Sequence, residues 1–253
     1  MADEPSLLAV FAHPDDESLS AGGVLARHAA AGARTTVVTA TWAEGTHRAA
    51  ELAEALRHLG AGRPRLLGYA DARVPESAPG EPRLVDAPLD EAVRRLVGHI
   101  REFRPRIVVT HDAYGSPTGH PDHVHTHRIT VLATRAAGLA KLYPDAGAPW
   151  QPSALYLATC PDSAVAALGD LAGARRALYS VPDEQVTATV DVGAWLERKV
   201  AAVLAHRSEV ARGALPGLVA ALLPEARERL LSTEWYVRHE PAPVAGHREA
   251  LTA

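Results

Sequence analysis

The chain has 253 residues, 47% of them hydrophobic and 22% charged, with a net charge of −4 and a pI near 6.3. That composition supports a sizeable core and excludes a disordered chain. The mild acidity excludes a general attraction to nucleic acid or anionic membrane. One cysteine, Cys160, forms no internal disulfide and fits a reducing cytoplasm. The N-terminal "MADEPS" has neither a basic region nor an apolar core, so no signal peptide is expected, and no apolar run is long enough to span a bilayer.

In chain order, "SLLAVFA" (6–12) is a continuous apolar run that predicts a strand covered on both faces. "ESLSAGGVLARHAAAG" (17–32) predicts a helix with Gly32 just beyond its end. The β-branched "RTTVVTAT" (34–41) predicts a second strand. "THRAAELAEALRHLG" (46–60) predicts a helix capped by Thr46 and ended at Gly60. A short strand follows at "RLLGY" (65–69), then a loop over 71–88 rich in Pro, Gly and charge. "DEAVRRLVGHIREF" (90–103) starts with acids and ends near Arg101 and Arg104, as a helix macrodipole prefers. "PRIVVTH" (105–111) predicts the next strand, 112–119 a loop, and "HPDHVHTHRITVLATRAAG" a further helix. Beyond a loop at 143–152, strands are expected at 153–159, 186–192 and 234–239, with helices near 161–177, 194–207 and 217–231. Alternating strands and helices with short connections predict an α/β fold, a mostly parallel sheet with helices on both faces.

Histidine is the compositional oddity. There are 13, and five fall between His111 and His127. In open α/β sheets, ligands bind beyond the carboxyl ends of strands. "AHPDDE" (12–17) ends the first strand and "THDAYGSPTGHPDH" (110–123) follows another, so the two motifs are expected to face one crevice. Carboxylates are costly to bury without partners. Pro14 biases His13 toward an extended backbone, and His13 and Asp16 can aim at one point across a tight turn, with Asp15 aimed elsewhere. Pro121 suits the first turn of a helix, which places His120 and His123 on one face. Two histidines and one aspartate suit zinc and leave a position open for water. Asp15 then serves as general base toward metal-bound water, and whichever of His120 and His123 does not ligate can stabilise an oxyanion or protonate a leaving amine. Each motif alone also reads as a capped helix start. Together, each behind a predicted strand, they point to metal-assisted amide hydrolysis.

"AHPDDE" with "GHPDH" (119–123) resembles the PIG-L/LmbE-like zinc-dependent deacetylases, which act on N-acetylglucosaminyl glycolipids, mycothiol and bacillithiol precursors and antibiotic intermediates. "HRAAELAEALRHLG" (47–60), "GYAD" (68–71) and "KVAAVLAHRSE" (199–209) resemble further family segments, with Glu209 where glutamine is usual. The resemblance implies one Rossmann-like domain over 1–253, with its core in 6–140 and 141–253 completing the pocket. It implies His13, Asp16 and His123 as ligands of one zinc, a site that ferrous iron would also suit. It implies Asp15 as general base, His120 as electrophilic or acid partner, Asp122 orienting a histidine, and Arg48 and Asp71 meeting sugar hydroxyls. The implied substrate is a soluble N-acylated sugar. The family includes hexamers and smaller forms, so a homo-oligomer is among the implied assemblies. One position departs: a tyrosine of the mycothiol-type enzymes is Thr118 here, with Tyr114 as the nearby substitute. The alternatives are an amidase of thiol-conjugate pseudodisaccharides and a metal-binding protein without turnover. A nucleotide-binding protein would need a G-x-G-x-x-G turn after the first strand, and acids stand there instead.

Overall fold

A computed structural model describes residues 4–165 and 178–241. Seven strands form one sheet in the order β3-β2-β1-β4-β5-β7-β6. They are β1 (Leu7–Phe11), β2 (Thr35–Thr41), β3 (Arg65–Tyr69), β4 (Ile107–His111), β5 (Ala154–Thr159), β6 (Ala188–Asp191) and β7 (Thr233–His239). The first five are parallel, and β7 runs antiparallel between β5 and β6. The mostly parallel expectation therefore holds, with an antiparallel edge added by the last part of the chain.

β1 is buried along its whole length because helices cover both sides of it. Leu8 and Val10 join the core beneath α3 (Leu89–Phe103) and α4 (Pro121–Ala136). Leu7, Ala9 and Phe11 join the core beneath α1 (Asp16–Ala30), α2 (His47–Leu59) and the helix Leu196–Ala205. Each of the Leu, Val and Phe side chains contributes about 1.5–3 kcal/mol on full burial, so β1 is the spine of both cores. The chain proceeds from β1 to β2 and β3 on one side and resumes at β4 on the other. The gap between the carboxyl ends of β1 and β4 is therefore a topological switch point, where open sheets form ligand crevices.

Local signals set several helix ends. The Thr46 hydroxyl accepts from the Ala49 N–H at 3.2 Å, and Gly60 closes α2 at φ 74°. Pro121 stands in the first turn of α4, and His120 is its cap, Nδ1 accepting from the Asp122 N–H at 3.2 Å. The helix expected near 217–231 is instead two, Leu215–Ala221 and Pro224–Leu231, because each begins at a proline-bearing first turn. The expected loop 71–88 contains two single 3₁₀ turns, Pro75–Ser77 and Leu84–Asp86. The helix expected near 161–177 lies mostly outside the described residues. Among the described residues no helix is long and apolar enough to cross a membrane.

Candidate metal centre

The two motifs meet at the switch point. His13 and Asp16 come from the β1–α1 turn, and His120, Asp122 and His123 from the start of α4. His13 Nδ1 lies 3.2 Å from His123 Nε2 and 3.3 Å from Asp16 Oδ2, while Asp16 Oδ1 lies 3.2 Å from His123 Nε2. Donor atoms around a tetrahedral zinc, with bonds of about 2.0–2.1 Å, stand about 3.3 Å apart. The three residues are 6–8% exposed, so they are largely shielded from water.

Hydrogen bonding at the far ring nitrogens sets the tautomers. His123 Nδ1 faces the Gly115 carbonyl at 3.3 Å, so it carries the proton and Nε2 presents a lone pair inward. His13 Nε2 faces Asp122 Oδ2 at 3.1 Å and Asp71 Oδ2 at 3.2 Å, which places its proton there and a lone pair on Nδ1. Two ring nitrogens and a carboxylate thus converge within hydrogen-bond distance; the His13 backbone N–H donates to Asp16 Oδ2 at 2.8 Å, and Oδ1 is left facing the His123 nitrogen. A cation resolves that conflict, and the donor set fits zinc.

A second group of donor atoms lies on the other edge of the His13 ring, formed by His13, Asp71, His120 and Asp122. Its acceptors are already engaged. The Ala72 N–H donates to Asp122 Oδ2 at 2.9 Å, the Arg73 N–H to Asp71 Oδ1 at 2.7 Å, and the Asp122 N–H to His120 Nδ1. On the Nδ1 edge the His13 backbone N–H engages Asp16 Oδ2 at 2.8 Å, which leaves Oδ1 with the two ring nitrogens, the better metal site.

Asp15 stands beside this centre, and among the described residues it is in none of the convergent donor groups. It occupies the cap position of α1 at φ 131°, and its side chain makes no capping hydrogen bond. The capped-turn reading of "HPDD" therefore fails, and the strained backbone serves something else. Asp15 Oδ1 lies 3.2 Å from Arg48 Nη2. Burial and the adjacent Asp16 charge push the Asp15 carboxyl up to about 7, against the pull of Arg48. Burial, then the facing His13 ring, brings His120 down to about 4. With Nδ1 accepting, neutral His120 presents Nε2–H.

Arg48 and Asp71, implied as sugar contacts, are both turned inward. Arg48 is 4% exposed and pairs with Asp15 and Glu209, and Asp71 is 5% exposed against His13. Tyr114 is 53% exposed and stacks on Tyr179, while Thr118 is exposed. The Tyr179 ring lies over Gly119, and its backbone N–H donates to the Pro117 carbonyl at 2.9 Å. Asp112 holds the loop into "HPDH": Oδ1 accepts from the Tyr114 and Ser116 N–H groups at 3.1 and 3.0 Å. His127 Nδ1 lies 2.9 Å from the His111 carbonyl, well placed to donate, and buttresses the strand end.

Sequence reasoning underused His111. It stacks on His123 with centroids 4.0 Å apart, accepts the Ala12 N–H at 3.2 Å, and brings Nε2 to 3.4 Å from Asp16 Oδ2. Its place at the carboxyl end of β4, beside the switch point, was the available signal.

An α/β sheet with a buried His/Asp metal-type centre at its switch point defines a metal-dependent hydrolase class. A model of the "GlcNAc-PI de-N-acetylase" (PIG-L) family matches residues 8–134, and the chain belongs to that family. It is 39% identical over 282 residues to a 1D-myo-inositol 2-acetamido-2-deoxy-α-D-glucopyranoside deacetylase of Rhodococcus jostii, covering 98% of this chain and 95% of that one. Its fold matches a conserved protein of Thermus thermophilus at a TM-score of 0.64, with 27% identity, 98% of this chain and 100% of that one covered. It also matches N,N′-diacetylchitobiose deacetylase of Pyrococcus horikoshii at a TM-score of 0.65, over 94% of this chain and 85% of that one; at 18% identity this likeness concerns the fold. The relatives it matches over most of its length are named deacetylases, and the chain is a hydrolase of the N-deacetylase type.

Proposed function

We propose that this chain is a zinc-dependent N-deacetylase of an N-acetylglucosaminyl glycoside carrying a polyol, the class for which its relatives are named. The observation that carries the reading is the convergence of His13 Nδ1, the Asp16 carboxylate and His123 Nε2 at 3.2–3.3 Å, Oδ2 toward His13 and Oδ1 toward His123. A zinc ion held by those three residues would supply Lewis acidity to an amide carbonyl and to attacking water. Asp15, next in the chain to a ligand but outside that group, takes a proton from the attacking water as general base. Neutral His120 offers Nε2–H to the amide oxygen as negative charge builds on it. The C–N bond then breaks as the proton held by Asp15 passes to the nitrogen, which frees the amine, restores the Asp15 carboxylate and leaves acetate as the second product. Asp71 and Asp122 hold the His13 ring in its tautomer.

Amine release from N-acetylglucosaminyl-inositol, assayed with metal content, tests the reading. The expected result is about one zinc per chain and turnover that Asp15→Asn lowers by roughly 10²–10⁴-fold with zinc retained. A protein that binds zinc and releases no amine from this substrate or other N-acetylated sugars would refute the deacetylase reading. Absence of metal after reconstitution would refute the centre itself.

A further inference from the structure

The segment "HRSE" (206–209) has no role in the chemistry above, yet its His206 and Glu209 are buried near the proposed base. Asp15 has a backbone conformation that L residues rarely adopt, with no side-chain cap to hold it. Two grips hold it instead, and both end in that segment. The first acts on the backbone. The Asp15 N–H donates to Glu17 Oε2 at 3.0 Å, and Glu17 Oε1 lies 2.9 Å from His206 Nε2. Glu17 and His206 are both fully buried. The second acts on the carboxylate. Arg48 Nη2 reaches Asp15 Oδ1 at 3.2 Å and donates to the Pro14 carbonyl, while Nη1 lies 3.2 Å from Glu209 Oε1. The Arg48 guanidinium also lies 4.8 Å from the Trp42 ring centroid, which limits its movement. Between the two, Ser208 fastens the turn to α2: its N–H and hydroxyl donate to Glu51 at 2.9 and 2.6 Å.

A buried array of one arginine and two acids is a poor device for stability, since apolar packing of similar volume does as well or better. Here the array converges on one strained residue. We infer that Glu209 and His206 are positioning residues for Asp15, Glu209 acting through Arg48 on its carboxylate and His206 through Glu17 on its backbone. The inference rests on Asp15 being the base. It assigns the C-terminal half of the chain a part in proton transfer that no residue of it performs directly.

The test is a set of thermodynamic cycles in the zinc-loaded full chain. Glu209→Ala and His206→Ala are each expected to lower kcat about tenfold or more, with KM within about twofold and zinc content unchanged. Glu209→Gln keeps an acceptor for Arg48 and is expected to recover most of kcat. In the Asp15→Asn background the same substitutions should change the residual rate by less than about twofold, because the residue they position no longer acts. Losses that multiply in that background, or that fall on KM alone, would overturn the inference while leaving Asp15 as the base. Full rate in Asp15→Asn itself would overturn the proposed base and this inference with it. If Glu209→Ala melts below the assay temperature, Arg48→Lys, which keeps the charge and loses the fork, takes its place in the cycle with the same expected outcomes.

Discussion

Replacing Asp122 by asparagine separates the two edges of the His13 ring. Asp122 is fully buried, and its Oδ2 lies 3.1 Å from His13 Nε2. Asparagine keeps the shape and one acceptor oxygen and removes the charge. Loss of a carboxylate that orients a ligating histidine lowers metal affinity by about 10–100-fold. Here Asp71 Oδ2, at 3.2 Å, contacts the same nitrogen and remains in place. The single variant should therefore fall at the lower end, about tenfold or 1.4 kcal/mol. Asp71→Asn should behave alike, and the double variant should approach about 100-fold, near 2.7 kcal/mol. Zinc affinity measured by competition with a chromophoric chelator at fixed pH gives each value. Loss of all measurable zinc in Asp122→Asn alone would refute the argument, since it would put the metal on the Nε2 edge with Asp122 as a ligand. Wild-type affinity in the double variant would refute it from the other side, because His13 would then need no orienting partner.

Three further outcomes are expected. A methyl at Gly119 would lie within 3.0 Å of three Tyr179 ring carbons at φ 63°, so Gly119→Ala should lower kcat/KM with little change in the melting curve; Gly119→Ala/Tyr179→Ala should recover part of it, and no recovery would show that the ring is not the obstacle. A methyl at Gly23 would lie within 2.6 Å of three Val192 atoms between α1 and the 3₁₀ turn before the helix Leu196–Ala205, so Gly23→Ala should destabilise by about 1–3 kcal/mol in urea unfolding, and an unchanged midpoint would refute that packing. The Glu17–His206 pair should give stability a pH window. Burial opposes the Glu17 charge, but His206 lowers its pKa, so its contribution is present above about 4.3 and is lost as pH falls through the folded value. Burial opposes the His206 charge, but Glu17 raises its pKa, so its contribution is complete below about 6.5 and is lost as pH rises through the folded value. The melting-temperature gap between the wild type and His206→Gln should be widest between those pH values; a gap independent of pH would mean the pair is neutral.

The strands of the first half were legible because a strand covered on both faces is apolar at every position, as in β1 and β2. The metal motifs were legible for a related reason. Short-range geometry puts His13 near Asp16 and starts α4 at Pro121, and strand ends are where open sheets bind ligands. The break at Pro224 was available in the sequence as well, since proline restricts the backbone locally. The insertion of β7 between β5 and β6 was not, because a strand's own residues do not name its neighbours.

What the amino-acid sequence determined by itself is most of the local elements and the candidate donor residues, since both depend on periodicity and on neighbours a few positions away. Tertiary structure alone decided how long polar side chains are used. Arg101, legible as a charge near the end of α3, instead donates to carbonyls of Ala137, Leu139 and Leu142 at 3.1, 3.0 and 2.8 Å. Arg48 could be read as a solvated charge or a sugar contact, yet it lies buried between Asp15 and Glu209. His206 reaches Glu17 across 189 residues. A buried charge must find its partner wherever the closed chain brings one, and that partner is specified by the packing of distant elements, which no local pattern encodes.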